Sequence, residues 1–241
     1  MTAKRNPIPS VWARPRREPD QPALSRAAIV REAVAMLDAE GVEALSMRKL
    51  GARLNAGATS LYRHVATKDE LMELAADEVF GEIAVPPADS DDWRGAVADA
   101  AFSFRATILR HPWLASVLGQ AGLAYLGPNL MSRTESLAAL FVRAGFPDPG
   151  NAISALLSYV TGMSATEAAW LGTVARSGET EAGFVARLMP AAEEAAAGYT
   201  HLADGYRAPE GQGPEKAREV KFRYGLDVVL DGLAMRLPGK G

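Results

Sequence analysis

The sequence predicts an all-α protein, an N-terminal three-helix helix-turn-helix unit followed by a larger C-terminal helical bundle. Three observations carry this reading. Apolar residues recur at helical spacing along nearly every segment. The segments end at glycines and prolines, and almost nothing reads as a strand. Two short helices joined by a tight turn follow a longer first helix, the arrangement of a helix-turn-helix. A chain of 241 residues has room for a small unit and a larger one, since a domain takes roughly 100–200 residues.

Each element has its own signal. Residues 1–24 hold five of the fifteen prolines and five basic residues. Proline blocks ladders and helices, so this segment reads as a disordered basic arm. Ser25 is placed to cap a helix through Ile29, Ala33, Met36 and Leu37 that ends near Gly41. Met47, Leu50 and Leu54 make a second, short helix after Ser46, and Leu61 and Val65 anchor a third. Asn55 lies in the turn between them, and asparagine tolerates a left-handed backbone. Thr67-Lys68-Asp69-Glu70 is a capping box that starts a helix through Leu71, Leu74, Val79 and Ile83, stopped by Pro86-Pro87. Further helices are predicted from Asp91 to His111, Trp113 to Gln120, Leu130 to Ala144, Asn151 to about Arg176, Thr180 to Ala197 and Lys216 to Leu237. Residues 198–214, rich in glycine and proline, read as a loop. The expected organisation is an arm at 1–24, a DNA-binding unit at 25–85 and a ligand-binding and dimerisation unit at 88–238. No period of a solenoid recurs.

Composition excludes several chemistries. The chain has no cysteine, so disulfides, thiolate metal sites and cysteine nucleophiles are out. Its three histidines, at 64, 111 and 201, fall in separate segments, and neither a metal nor a cofactor is expected. No Gly-x-Ser-x-Gly elbow occurs. Gly211 to Lys216 echoes a phosphate loop, but no strand precedes it and Pro214 removes a needed N–H. Asp91-Asp92 and Glu193-Glu194 read as helix-end or surface charges. No enzyme is expected. The first thirty residues carry no apolar run and no stretch is long enough to span a membrane, so a cytoplasmic protein is expected. The net charge is −3, yet eleven basic residues face six acidic ones between Met1 and Val65. The rest of the chain carries fifteen basic and 23 acidic residues. A basic end on an acidic body suggests that this end meets a polyanion.

Within the short helices, Leu50, Leu54, Leu61 and Val65 are expected to face inward. At about 100° per residue, Thr59 and Arg63 then lie opposite Leu61 and Val65, with Ser60 and Tyr62 on the flanks. That outward face carries hydroxyls, a guanidinium and a phenol, groups that donate to phosphates and base edges. Across residues 25–85 the sequence resembles the tetracycline-repressor (TetR) family of transcription regulators. The resemblance rests on Ser46-Met47-Arg48-Lys49-Leu50, Leu61-Tyr62-Arg63-His64-Val65 and Lys68-Asp69-Glu70-Leu71; Asn55 stands where the family usually has glycine. It implies that Arg48, with Lys49 beside it, reaches the groove of a double-stranded DNA operator. Ala58, Thr59, Ser60, Tyr62, Arg63 and His64 would line the recognition helix, and Lys68 would hold a phosphate.

The larger unit reads as a dimerising ligand domain. The last helix is apolar at Phe222, Leu226, Val229, Leu230, Leu233 and Leu237. The long helix from Asn151 carries one stripe at Ile153, Leu156, Leu157, Val160, Ser164 and Leu171 and another at Tyr159, Met163, Thr166 and Trp170. So wide an apolar arc must pack on two sides. In the family two helices per subunit make the dimer interface, which implies Leu157, Val160, Ser164, Phe222, Leu226, Val229 and Leu233 as interface candidates in a homodimer. Phe102, Trp113, Tyr125, Met131, Phe141, Tyr159, Met163 and Trp170 are the candidate lining for a small amphipathic effector. Ser103-Phe104-Arg105 and Phe222-Arg223-Tyr224-Gly225-Leu226 resemble the ligand domain of tetracycline repressors. On that alignment the metal-binding histidine falls on Leu118, so a magnesium–tetracycline ligand is not expected. The expected function is a ligand-responsive repressor released from a palindromic operator by its effector. Alternatives are a regulator without an effector, an activator, or an enzyme acting on small apolar substrates.

Overall fold

The computed structural model describes residues 24–88, 92–118, 127–203 and 213–238, and the described residues form helices with no strand. The predicted arm, Tyr125 and the middle of the predicted 198–214 loop lie outside them. The helices are α1 (Arg26–Glu40), α2 (Met47–Arg53), α3 (Ala58–Leu61), α4 (Lys68–Phe80), α5 (Trp93–Arg110) and α6 (Trp113–Leu118). They continue as α7 (Pro128–Arg143), α8 (Pro149–Ser177), α9 (Glu181–Ala196), α10 (Thr200–Ala203) and α11 (Pro214–Ala234).

Local chemistry sets the boundaries. Ser25 Oγ accepts from the Ala28 N–H at 3.1 Å and starts α1, which ends at Gly41. Ser46 and Thr67 cap α2 and α4 in the same way, through Lys49 N and Glu70 N. Asp92 caps α5 through Gly95 N at 2.8 Å, so this helix begins after the predicted Asp91. Three helices begin at a proline, α7 at Pro128, α8 at Pro149 and α11 at Pro214. The sequence reading starts each a little later. Proline is compatible with the first turn because its missing N–H has no helical partner there. Helix α10 falls inside the predicted loop, where Tyr199 to Ala203 contain neither glycine nor proline.

Packing joins these elements around one connected core that runs from Ile29 to Leu230. Helix α1 packs on α2 and α4, and α2 on α3, burying Ile29, Met36, Leu37, Leu50, Leu61 and Val65. Helix α4 leaves this unit and meets α7. In the body, α8 is the central helix, in contact with α5, α6, α7, α9 and α11. None of the described helices is long and apolar enough to cross a membrane.

Candidate nucleic-acid interface and ligand cavity

The turn between α2 and α3 determines which way the recognition helix faces. Asn55 has φ of 51°, the left-handed conformation expected of it. Gly51 lets the chain fold back closely: a Cβ there would lie 2.6 Å from the Ala56 carbonyl oxygen. The Ala56 N–H donates to Gly51 O at 2.8 Å and closes the turn. Helix α3 is short, but backbone bonds from Tyr62, His64 and Val65 to Ala58 and Leu61 carry the winding on to Val65. Leu61 and Val65 are fully buried, so the residues between and before them turn outward.

Thr59, Tyr62 and Arg63 are exposed on this surface, with Ala58, Ser60 and His64 half-buried beside them. Arg48 is exposed on the adjoining turn of α2. The side chains of Arg48, Tyr62 and Arg63 form no hydrogen bond or ion pair with another described residue. The other candidates are engaged. Lys49 pairs with Glu40 of α1, and its ammonium holds the Glu40 carboxyl below its ordinary range. Arg53 reaches Glu32 and Glu40 from the same side, so these ion pairs join α2 to α1. The Lys68 ammonium donates to Val42 O at 3.3 Å. Glu70, the fourth residue of the predicted capping box, is buried and does more than cap. It accepts from Arg26 of α1 at 2.9 Å and from the Ala66 N–H at 3.2 Å.

Three sets of contacts tie this unit to the body. Asp38 of α1 accepts from Trp113 Nε1 at 2.7 Å, and its Oδ1 lies 2.7 Å from Nδ1 of the buried His111. The other ring nitrogen of His111 faces Glu82, just beyond α4. Asp77 of α4 accepts from the Asn129 and Leu130 N–H groups at the start of α7, each at 3.0 Å. Burial pushes the Asp77 carboxyl above its ordinary range, and those N–H groups offset this only in part. Gly127 is required for that approach, because a Cβ there would lie 2.0 Å from Asp77 Oδ1. Arg133 of α7 donates to Gly81 O, at the end of α4, at 2.8 Å.

Beyond these contacts lies a cavity of about 730 Å³ between α4, α5, α7 and α8. Phe80, Phe104, Leu118, Leu130, Met131 and Leu137 supply much of its wall. Leu156, Leu157, Val160, Ser158 and Thr161 line it from α8, and Arg133 and Thr134 from α7. Leu118, the position matched to a metal histidine, is thus in the cavity wall. No group of three or more His, Asp or Glu suited to a metal ion occurs among the described residues.

The predicted effector residues need correction. Of the seven that are described, only Met131 lines this cavity. Phe141 packs against Trp93 and Phe146 in the core. Trp113 is held by Asp38, and Phe102 lies between the Phe222 ring and the Arg223 guanidinium. Tyr159 donates to Phe222 O at 2.7 Å, Met163 packs against the core, and Trp170 donates to Glu181 and meets the Phe184 ring edge-on. The aromatic residues are structural because each has a nearer partner than the cavity. The signal that points to the lining is positional: α8 residues one or two turns apart, facing α5 and α7.

The predicted dimer residues are also redistributed. Val160, Ser164, Phe222 and Leu226 are buried inside the protomer, so they are core rather than free surface. Leu157 and Val160 line the cavity. Val229 and Leu233 are half-buried along a second hollow of about 790 Å³ beside Phe146 and Asn151. The exposed apolar face of α11 is instead Val220, Tyr224 and Val228, continued by Met235 at its C-cap. Deeper in, Glu167 of α8 takes both Arg105 of α5 and Arg218 of α11. Burial alone would raise the Glu167 carboxyl, but the two guanidiniums overcome it and hold it below its ordinary range.

Comparison with known proteins agrees with this architecture. The family model of bacterial regulatory proteins of the tetR family matches residues 29–75. The model of the tetracyclin repressor-like C-terminal domain matches residues 85–237. An HTH-type transcriptional regulator of Saccharopolyspora erythraea is 36% identical, covering 93% of this chain and 91% of its own. The HTH-type transcriptional repressor DrrR1 of Streptomyces coeruleorubidus is 35% identical, covering 91% of this chain and 80% of its own. Among solved structures, the Streptomyces coelicolor TetR family protein ActR in complex with actinorhodin superposes with a TM-score of 0.75. It is 28% identical and covers 92% of this chain and 100% of its own.

Proposed function

This chain belongs to the TetR family of helix-turn-helix transcription regulators, and from that premise we propose a repressor that binds a palindromic operator as a homodimer and leaves it when a small amphipathic molecule fills the cavity. One observation carries the reading. The unpartnered face of Arg48, Tyr62 and Arg63 and the cavity wall lie on one connected set of helices, joined by α4. A ligand that prefers a different placement of α4 lowers operator affinity by its differential affinity for the two states. The similar protein ActR, solved in complex with actinorhodin, supports a small-molecule ligand for this chain.

The homodimer is read from α11. Val220, Tyr224 and Val228 recur on one face of that helix, continued by Met235 at its C-cap, and are open to solvent in the protomer. On α8 the outward residues Thr166 and Ala169, beyond the cavity, are small, which permits close approach of a second helix pair. A two-fold pair sets two recognition helices about one helical turn of DNA apart. In this reading the body binds and does not catalyse, and the protein works in the cytoplasm. Selection of bound duplexes from a random DNA library tests the proposal. An enriched inverted repeat is expected; a library that enriches no sequence contradicts it.

A further inference from the structure

The cavity wall contains a single charged side chain among its described residues. Arg133 lies there among Phe104, Leu130, Leu137, Leu157 and Val160, and no aspartate, glutamate or histidine lines the space with it. Its guanidinium forms no ion pair with any described carboxylate: one nitrogen donates to Gly81 O at 2.8 Å, and Nε is buried with no hydrogen-bond partner. A buried guanidinium donor without an acceptor is uncommon, because each such N–H loses water and gains nothing in exchange. Several other arginines of the body have carboxylate partners. Arg105 and Arg218 share Glu167, and Arg94 reaches Asp227 and Asp231. Arg26 Nε of α1 is likewise buried without a partner, but the Arg26 guanidinium pairs with Glu70, whereas Arg133 has no described carboxylate.

We infer that the effector is an acid: an apolar body with one anionic oxygen group, a carboxylate or its equivalent, that pairs with Arg133. This rests on the reading of the cavity as the effector site and narrows the class of molecule. The apolar wall accepts the body of such a ligand. The guanidinium is a fixed cation on an otherwise apolar wall, and an anionic oxygen group there gains a charge-assisted hydrogen bond that a neutral ligand does not. The hydroxyls of Ser158, Thr161 and Thr134 add neutral donors on the wall without adding a competing negative charge. A ligand carrying a cation has no partner here and meets a like charge. The same guanidinium holds the carbonyl at the end of α4, so an anion that draws on it acts at the joint between the body and the DNA-binding unit.

A matched pair of fluorescent probes tests this on the full chain. 1-Anilinonaphthalene-8-sulfonate carries an anionic group, and N-phenyl-1-naphthylamine is the same aromatic scaffold without it. In Arg133→Gln the affinity for the anionic probe is expected to fall by roughly 10-fold, as for a lost charge-assisted pair. The neutral probe should bind Arg133→Gln and the wild type alike, and Arg133→Lys should retain part of the anionic preference. Equal changes for both probes, or none for either, overturn the inference while leaving the cavity as a neutral binding site. Failure of both probes to bind the wild type overturns the inference and the effector-site reading together. A crystal structure of the wild type with the anionic probe decides the matter without a variant. A sulfonate against Arg133 supports the inference, and a sulfonate at the far end of the cavity ends it.

Discussion

Arg48 and Tyr62 differ from Lys49 and Lys68 in what their side chains already hold. The lysines are engaged by Glu40 and Val42, whereas Arg48 and Tyr62 have no partner among the described residues. Arg48→Ala and Tyr62→Phe should each weaken operator binding by about 1–3 kcal/mol, the worth of a good base-edge contact. Anisotropy titrations at fixed salt read this, and circular dichroism should show the helices unchanged. Lys49→Ala should lower thermal stability slightly by removing an exposed ion pair, with a smaller effect on DNA. At this scale the sequence was legible wherever a role is local. Asn55 in the turn and Thr67 at the helix start are decided by neighbours a few residues away. Arg133 was not legible, because its meaning depends on an apolar wall assembled from α4, α5 and α8. The aromatic candidates failed for the same reason: Tyr159 and Trp170 look alike in sequence, and only their partners Phe222 and Glu181 separate structure from site.

Helix ends do most of the work of connecting the two units. The start of α7 is fixed on Asp77, and Gly127 leaves the space for it. Gly127→Ala should therefore displace Asp77 and cost about 1–3 kcal/mol, the penalty of unpairing buried polar groups, seen as a lower midpoint in urea. The Glu167 network makes a second prediction, with its sign set by the depressed carboxyl. Stability from that group is present above the ordinary glutamate range and is lost as pH falls through its lowered folded value. Glu167→Gln should destabilise the protein by about 3 kcal/mol near neutral pH, because the partly buried Arg105 loses its carboxylate and Arg218 is left with Glu181 alone. The difference from wild type should shrink on acidification below about pH 4, where unfolded glutamates protonate. Helix existence was readable from periodicity, and the proline starts of α7, α8 and α11 were readable in kind though not in register. Which face of α8 and α11 meets what was not readable, since both helices are apolar around more than one side.

For the whole molecule, the exposed α11 face gives the assembly its test. Val228→Glu should turn the dimer into a monomer with an intact fold, because Val228 is 55% exposed in the protomer yet would be buried against a partner. Sedimentation at micromolar concentration measures it, and a wild type that is already monomeric contradicts the homodimer. Leu233→Glu should instead damage the fold, since Leu233 packs against the core. Periodicity revealed that α11 has too much apolar surface for one role. It did not reveal that the Phe222–Leu226–Leu230 side is internal and the Val220–Tyr224–Val228 side external.

The most direct measurement of the central claim is a hydroxyl-radical footprint of the full-length protein on its selected duplex. The account predicts two symmetric protected patches on one face of the DNA, centred about one helical turn apart, at about 10–10.5 base pairs. Arg48→Ala should weaken both patches together. A single patch, or uniform weak protection along the duplex, would contradict a two-fold repressor that reads DNA through α3.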